Sequence, residues 1–104
     1  MKFRQLMEEY KYKSDILRKA VEKANSNGAG LENDGTKYII GGFDRYFPDK
    51  TKAMSSAIDK KTANDIVKQF KTNNDISLII VQKGNDIVSY RRHESGKWEM
   101  RKWD

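Results

Sequence analysis

The chain contains no cysteine and a single histidine, His93. The lack of cysteine excludes disulfide bonds, thiolate nucleophiles and thiolate metal ligands, and it is typical of proteins from a reducing compartment. Transition-metal sites draw three or four ligands from cysteine, histidine and carboxylates, so one histidine in a predicted turn beside Arg92 does not indicate such a site. The sequence therefore predicts no metal site and no bound cofactor.

Long hydrophobic runs are also missing from the sequence. A membrane-spanning helix needs about 20 consecutive apolar residues, and no stretch of the chain approaches that length. Glu8 and Glu9 lie where a signal peptide would have an uninterrupted apolar segment. These absences predict a cytoplasmic protein with no membrane partner.

The motifs of the common enzyme classes are absent as well. The chain has no nucleophile elbow, no phosphate-binding loop, no dinucleotide-binding glycine pattern and no paired-histidine zinc motif. The neighbouring carboxylates Glu8 and Glu9 would point to different parts of one helix surface, so they cannot face each other as an acid–base couple. We therefore expect a non-enzymatic binding protein with no catalytic residues.

The residues that are present indicate one folded domain. A chain of 104 residues fits a single hydrophobic core. Apolar residues account for 37% of the chain and charged residues for 35%, and the apolar ones recur at regular intervals, which is typical of a globular rather than a disordered chain. We expect a single domain over residues 1–104.

The first quarter of the chain has the pattern of an amphipathic helix, predicted over residues 2–25. Its apolar residues recur every three or four positions: Phe3, Leu6, Met7, Tyr10, Leu17, Ala20, Val21 and Ala24. The pattern is interrupted at Lys13, and Ser14 with Asp15 has the character of a fresh N-cap, so two shorter helices are an alternative. Three glycines and an Asn-Asp-Gly sequence then predict a flexible connection over residues 28–36.

The middle of the chain predicts a strand pair and a second helix. Strands are expected near residues 37–47, as one strand over 37–40 and a short second one over 43–47. Residues 49–60 show no clear pattern and are assigned to no element.

The second helix is predicted over residues 63–71. Thr62 followed by Asp65 has the spacing of a capping box, and the apolar residues after it repeat on one helix face.

The last third of the chain predicts three strands, over residues 76–82, 86–92 and 97–103. The first of them is apolar on both faces, which is typical of a central strand covered on both sides. Glycine at position 84 suits a type II′ turn. Such a turn sets Val81 opposite Val88 and Ile79 opposite Tyr90.

The register of the final hairpin has two alternatives. A four-residue turn pairs Arg91 with Trp98, whereas a five-residue loop sets Tyr90 against Met100. With either register, the elements predict an α+β fold, in which an N-terminal amphipathic helix and a second short helix pack on one face of a mostly antiparallel sheet that ends in a three-stranded meander.

The candidate site lies in the C-terminal hairpin, where cations alternate with aromatic rings. The formal net charge is +6, and the basic excess lies at the two ends of the chain. Cations neutralise phosphates and flat rings stack on bases, so the pattern predicts a nucleic-acid-binding ribbon. The residues expected to bind nucleic acid or another partner are Tyr90, Arg91, Arg92, Trp98, Arg101, Lys102 and Trp103. The same pattern is also typical of a strand that alternates core rings with solvated cations.

A protein partner is the alternative to nucleic acid. In its size, its lack of cysteine and its richness in Lys, Asn, Ile and Asp, the chain resembles the small accessory proteins of bacteriophages and mobile elements. Many of these proteins block host defence enzymes such as CRISPR nucleases. The resemblance implies an anti-CRISPR-like inhibitor whose exposed rings, Trp103 foremost, fill a groove on a nucleic-acid-processing protein.

Overall fold

The computed structural model describes residues 12–103 of the chain. It contains helix α1 (Asp15–Ser26), strands β1 (Tyr38–Phe43) and β2 (Thr51–Ala57), helix α2 (Lys60–Lys71), and strands β3 (Leu78–Lys83), β4 (Asp86–Arg92) and β5 (Trp98–Trp103). The strands form one antiparallel sheet in the order β2-β1-β3-β4-β5. The predicted α+β class, with two helices packed against a mostly antiparallel sheet that ends in a meander, is confirmed.

The two helices cover opposite faces of the sheet, whereas the sequence predicted that both lie on one face. Ile39 of β1 packs in one cluster with Leu17 of α1, while the adjacent Ile40 packs in a second cluster with Val67 of α2. Successive side chains of a strand point to opposite faces, so the two clusters lie on opposite sides of the sheet. We call these sides the first-helix face and the second-helix face. The central strands are apolar on both faces, and each face therefore needs its own cover.

Helix α1 begins at Asp15, so the prediction of one helix from residue 2 is wrong for the described residues that precede it. Ser14 is the N-cap, and its hydroxyl accepts a hydrogen bond of 3.3 Å from the Leu17 N–H. The Lys13 N–H donates instead to the side chain of Gln82, at 3.2 Å. The fresh start at Ser14 and Asp15 that the alternative required is therefore present; residues 2–11 of the predicted helix lie outside the described residues.

The strand that pairs with β1 in the first hairpin is β2, not residues 43–47 as predicted. Residues 44–50 form the connecting loop, in which the Phe47 N–H donates to the Asp44 carbonyl at 3.2 Å and the Lys50 N–H donates to the Phe47 carbonyl at 3.1 Å. Strand β2 lies in the segment that showed no pattern, because an edge strand that contacts the core through few residues does not need strict apolar alternation.

The segment before β1 was predicted to be a flexible connection over residues 28–36, and it contains no helix or strand. Asn33 in this segment is buried and anchored to the turn between β3 and β4. Its side-chain amide donates to the Gly84 carbonyl at 3.0 Å, and its side-chain oxygen accepts from the Gly84 N–H at 3.0 Å.

Helix α2 begins at Lys60, three residues before the predicted start, because Asp59 and not Thr62 is the N-cap. The Asp59 carboxylate accepts a hydrogen bond of 2.7 Å from the Thr62 N–H. This bond favours the ionised carboxylate, so it lowers the pKa of Asp59 below its ordinary value. The capping box predicted at Thr62 is therefore wrong.

The registers of the meander agree with the sequence. Val81 lies opposite Val88 and Ile79 opposite Tyr90, as predicted. The turn between β3 and β4 has glycine at a φ of 58°, the positive value that the first turn position requires.

In the final hairpin Tyr90 lies opposite Met100, so the five-residue loop is the correct alternative. Gly96 closes that loop at a φ of 90°, and its N–H donates to the His93 carbonyl at 2.9 Å. This geometry needs one more residue than the four-residue turn.

Candidate functional site

The residues predicted to bind a partner all lie on β4 and β5, but they are divided between the two faces of the sheet. Four of them share the second-helix face, and the other three share the first-helix face, as the strand register and the alternation of side chains require. The first set is Tyr90, Arg92, Trp98 and Lys102, and the second set is Arg91, Arg101 and Trp103. The structure therefore does not bring all seven into a single surface.

Near the hairpin loop, the second-helix face carries rings with cations above them. Lys71, the last residue of α2, places its Nζ 4.7 Å from the centre of the Tyr90 ring and 5.7 Å from that of Trp98. The Arg92 guanidinium lies 5.6 Å from the Trp98 ring and donates to the Asn74 carbonyl at 2.8 Å. These cation–π contacts hold two positive charges against half-buried rings.

At the other end of the same face, three lysines surround a cleft of about 350 Å³. They are Lys60 at the start of α2, Lys83 at the end of β3, and Lys102 on β5. The Lys83 Nζ lies 4.9 Å from the centre of the Tyr38 ring. One carboxylate, that of Asp86, lies in the lining of this cleft.

We call the surface that joins these two ends the cationic groove. Its cations are Lys60, Lys71, Lys83, Arg92 and Lys102, and its rings are those of Tyr38, Tyr90 and Trp98.

Geometry explains why the groove is open. A helix is about 10–12 Å wide with its side chains, whereas five strands span about 19 Å between the outermost strands. Helix α2 lies over β1 and β2, so β4 and β5 extend beyond it. There Val88 is half-buried and Met100 is 56% exposed.

Four of the groove residues were missed by reasoning from the sequence: Tyr38, Lys60, Lys71 and Lys83. Each comes from an element outside the C-terminal ribbon. The position of Lys83 two residues after Val81 could have placed it on the same sheet face as Tyr90. No sequence signal shows where a helix lies over a sheet, so the two lysines at the ends of α2 could not have been found.

The first-helix face of the same two strands has a different character. Glu99 lies opposite Arg91, and its carboxylate is 2.6 Å from His93 Nε2, so acidic and basic groups are mixed there. The Trp103 indole N–H donates to the Ser89 hydroxyl at 2.9 Å, and the residue is 38% exposed. This face therefore presents a weaker positive field, and its tryptophan is already engaged.

A second cleft, of about 440 Å³, lies where the loops at one end of the sheet meet. Its central cation is Arg45, whose side chain is only 10% exposed. The Arg45 guanidinium donates to the Arg92 carbonyl and to the Tyr46 hydroxyl, and it lies 3.9 Å from the Glu94 carboxylate. With its charge engaged in this way, Arg45 ties the loops together. Two further carboxylates, those of Asp44 and Asp75, line the cleft and make it unfavourable for an anion.

Two searches of residues 12–103 complete the description of the surface. Within that range, no three histidine or carboxylate side chains lie close enough together to hold a metal ion. The same residues include no helix with the length and apolar character needed to cross a membrane.

Comparison of the chain with protein-family models, with curated proteins and with solved structures found no match.

Proposed function

We propose that the protein binds nucleic acid without catalysing a reaction, and that the cationic groove holds a single strand. The observation that carries this proposal is the convergence of five cations from four elements on half-buried rings, with one carboxylate, Asp86, in the cleft lining. Clustered cations neutralise phosphates and release the counterions that surround a nucleic acid, which favours binding.

A single strand fits the groove better than a duplex does. Bases in a duplex are stacked on one another, so the rings and the apolar floor would have no use in binding one. A single strand has free base faces that pack on aromatic side chains. Tyr90 and Trp98 supply such rings, and Val88 and Met100 extend the apolar floor beside them.

The lysines of the groove have a division of labour in this proposal. Lys60 and Lys71 lie at the two ends of α2, on one side of the groove, and Lys102 lies on β5 on the other. A phosphate backbone that runs between them meets cations on both sides, while its bases reach the rings on the sheet.

The proposal is tested by comparing two double variants that remove the same charge from opposite faces. Lys71→Ala with Lys102→Ala changes the groove, and Arg91→Ala with Arg101→Ala is the matched control. Binding of a labelled oligonucleotide of about 12 nucleotides is followed by fluorescence anisotropy at several salt concentrations. We expect the groove variant to reduce the slope of log affinity against log salt by about 1.4, and the control to change it little.

The control variant makes the other outcomes informative. Equal losses in the two variants would mean that net charge alone drives binding, and a larger loss in the control would place the strand on the first-helix face. Either result, or a failure of the wild-type protein to bind any single strand, would contradict the groove assignment.

The second candidate is an inhibitor that blocks a host protein such as a nuclease. The observation that favours it is the pair of neighbouring rings on the loop between β1 and β2, where Tyr46 is 63% exposed and Phe47 is 62% exposed. Exposed adjacent rings are typical anchors for a protein partner. This candidate predicts that a bound protein stays attached after nuclease treatment, and that Tyr46→Ser with Phe47→Ser releases it.

A further inference from the structure

Strand β5 is an edge of the sheet. It pairs with β4 on one side, and no strand of the described residues pairs with its other side. An open edge presents backbone N–H and C=O groups that another strand can use. The question is which residues present them and what sequence fits opposite.

The hydrogen-bond phase of the hairpin answers the first part. In an antiparallel pair, residues alternate between those that bond to the neighbouring strand and those whose backbone groups point away from it. The His93 N–H donates to the Lys97 carbonyl at 2.8 Å, which makes position 97 an inward-bonding one. Trp98, Met100 and Lys102 therefore present their backbone groups to the open edge.

We propose that a second copy of this chain pairs antiparallel with β5 about a two-fold axis at Met100. In this register Trp98 lies opposite Lys102 of the second copy, so all of the outward-pointing backbone groups of these three residues find partners. The two five-stranded sheets then form one continuous sheet.

The side chains complement one another in this register. Glu99 lies opposite Arg101 of the second copy, and the two-fold axis repeats this pair. Met100 lies against Met100 of the second copy, and the methylene stem of Lys102 lies along the Trp98 indole of the other chain. Charged edge strands ordinarily discourage pairing. Here the opposite charges face each other, which stabilises cross-strand pairs.

The neighbouring symmetric registers are worse. A two-fold axis at Glu99 sets two glutamates opposite each other, and an axis at Arg101 sets two arginines opposite each other. Like charges in directly opposite positions destabilise a strand pair. The sequence of β5 therefore selects one register.

This pairing goes beyond the proposed function and does not depend on it. A two-fold axis perpendicular to the sheet leaves the second-helix faces of both copies on the same side. The cationic grooves of the two copies would then lie side by side on one surface.

The test measures association by sedimentation velocity over about 10 µM to 1 mM protein. A six-residue strand pair is smaller than a standard protein interface, so we expect a dimer with a micromolar dissociation constant. Glu99→Arg and Arg101→Glu should each raise that constant at least about tenfold, because each sets like charges opposite one another. A mixture of the two variants should form heterodimers, since their paired positions then carry opposite charges.

A second variant probes the backbone pairing. The Met100 N–H is not used within the chain's own sheet, so Met100→Pro should keep the fold, verified by circular dichroism, while it removes the central hydrogen bonds between the copies. Wild-type protein that stays monomeric at 1 mM, folded charge variants that do not associate when mixed, or a Met100→Pro variant that dimerises normally would each overturn the proposal.

Discussion

Over β4 and β5, the two faces of the sheet consist of alternate residues of the same two strands, and yet they differ in chemistry. The first-helix face mixes Arg91 and Arg101 with Glu99, whereas the second-helix face combines apolar residues and rings with cations from α2 and β3. The difference teaches that side-chain alternation divides one basic and aromatic sequence into two surfaces. Only one of these surfaces gathers further cations from the rest of the fold.

The largest effect that we expect tests the structural role of the first-helix face. Phe43 is completely buried in the cluster that includes α1, so Phe43→Ala should lower the free energy of unfolding by about 3–5 kcal/mol. Phe47→Ala is the control, because this neighbouring phenylalanine is 62% exposed and its loss should change stability by no more than about 0.5 kcal/mol. Urea denaturation measures both variants. Similar losses would show that the buried cluster is not what stabilises the sheet.

The next effect concerns the buried polar group on the same face. Gln82 is completely buried, accepts the Lys13 N–H at 3.2 Å and donates to the Gly84 carbonyl at 2.7 Å. Gln82→Met preserves the side-chain volume but leaves buried polar groups without their partner, so it should lower the free energy of unfolding by about 1–3 kcal/mol. Thermal unfolding compares the variant with the wild type, and an unchanged or raised stability would contradict the anchoring role of Gln82.

The smallest effect separates the two faces by function. Trp98 and Trp103 lie on opposite faces. Trp98→Ala should weaken binding of a single-stranded oligonucleotide about tenfold, because one base loses its stacking partner. Trp103→Ala should change that affinity by less than about twofold, since its indole is bound to Ser89. Anisotropy titrations at one salt concentration compare the two variants. A greater loss with Trp103→Ala would assign binding to the first-helix face.

Local patterns in the sequence predicted the meander well. The glycine at position 84 and the apolar alternation around it determine the register of β3 and β4, because a two-residue turn leaves one choice of pairing. The five-residue loop of the final hairpin was one of two alternatives, and its glycine at position 96 adopts the positive φ that this loop requires. Such features depend on residues close together in the chain.

Features that depend on distant residues were predicted poorly. Strand β2 has a weak pattern because it is an edge strand, and its pairing with β1 is determined by the sheet rather than by its own residues. Whether α2 lies on the same face as α1 or on the opposite one depends on the path of the chain after β2. The same path places Lys71 beside Tyr90. The sequence could therefore indicate the ribbon but not the groove that the helix forms with it.

The place of β1 in the sheet has a consequence for folding during synthesis. β1 lies between β2 and β3, although β3 follows both of them in the chain. One edge of the β1–β2 hairpin thus stays unpaired until the ribosome has released residues up to Lys83. Long-range strand pairing is slow to form, and exposed strand edges favour aggregation. A nascent chain that stalls within α2 would therefore present an apolar edge to other chains, and we expect chaperone dependence to peak at that length.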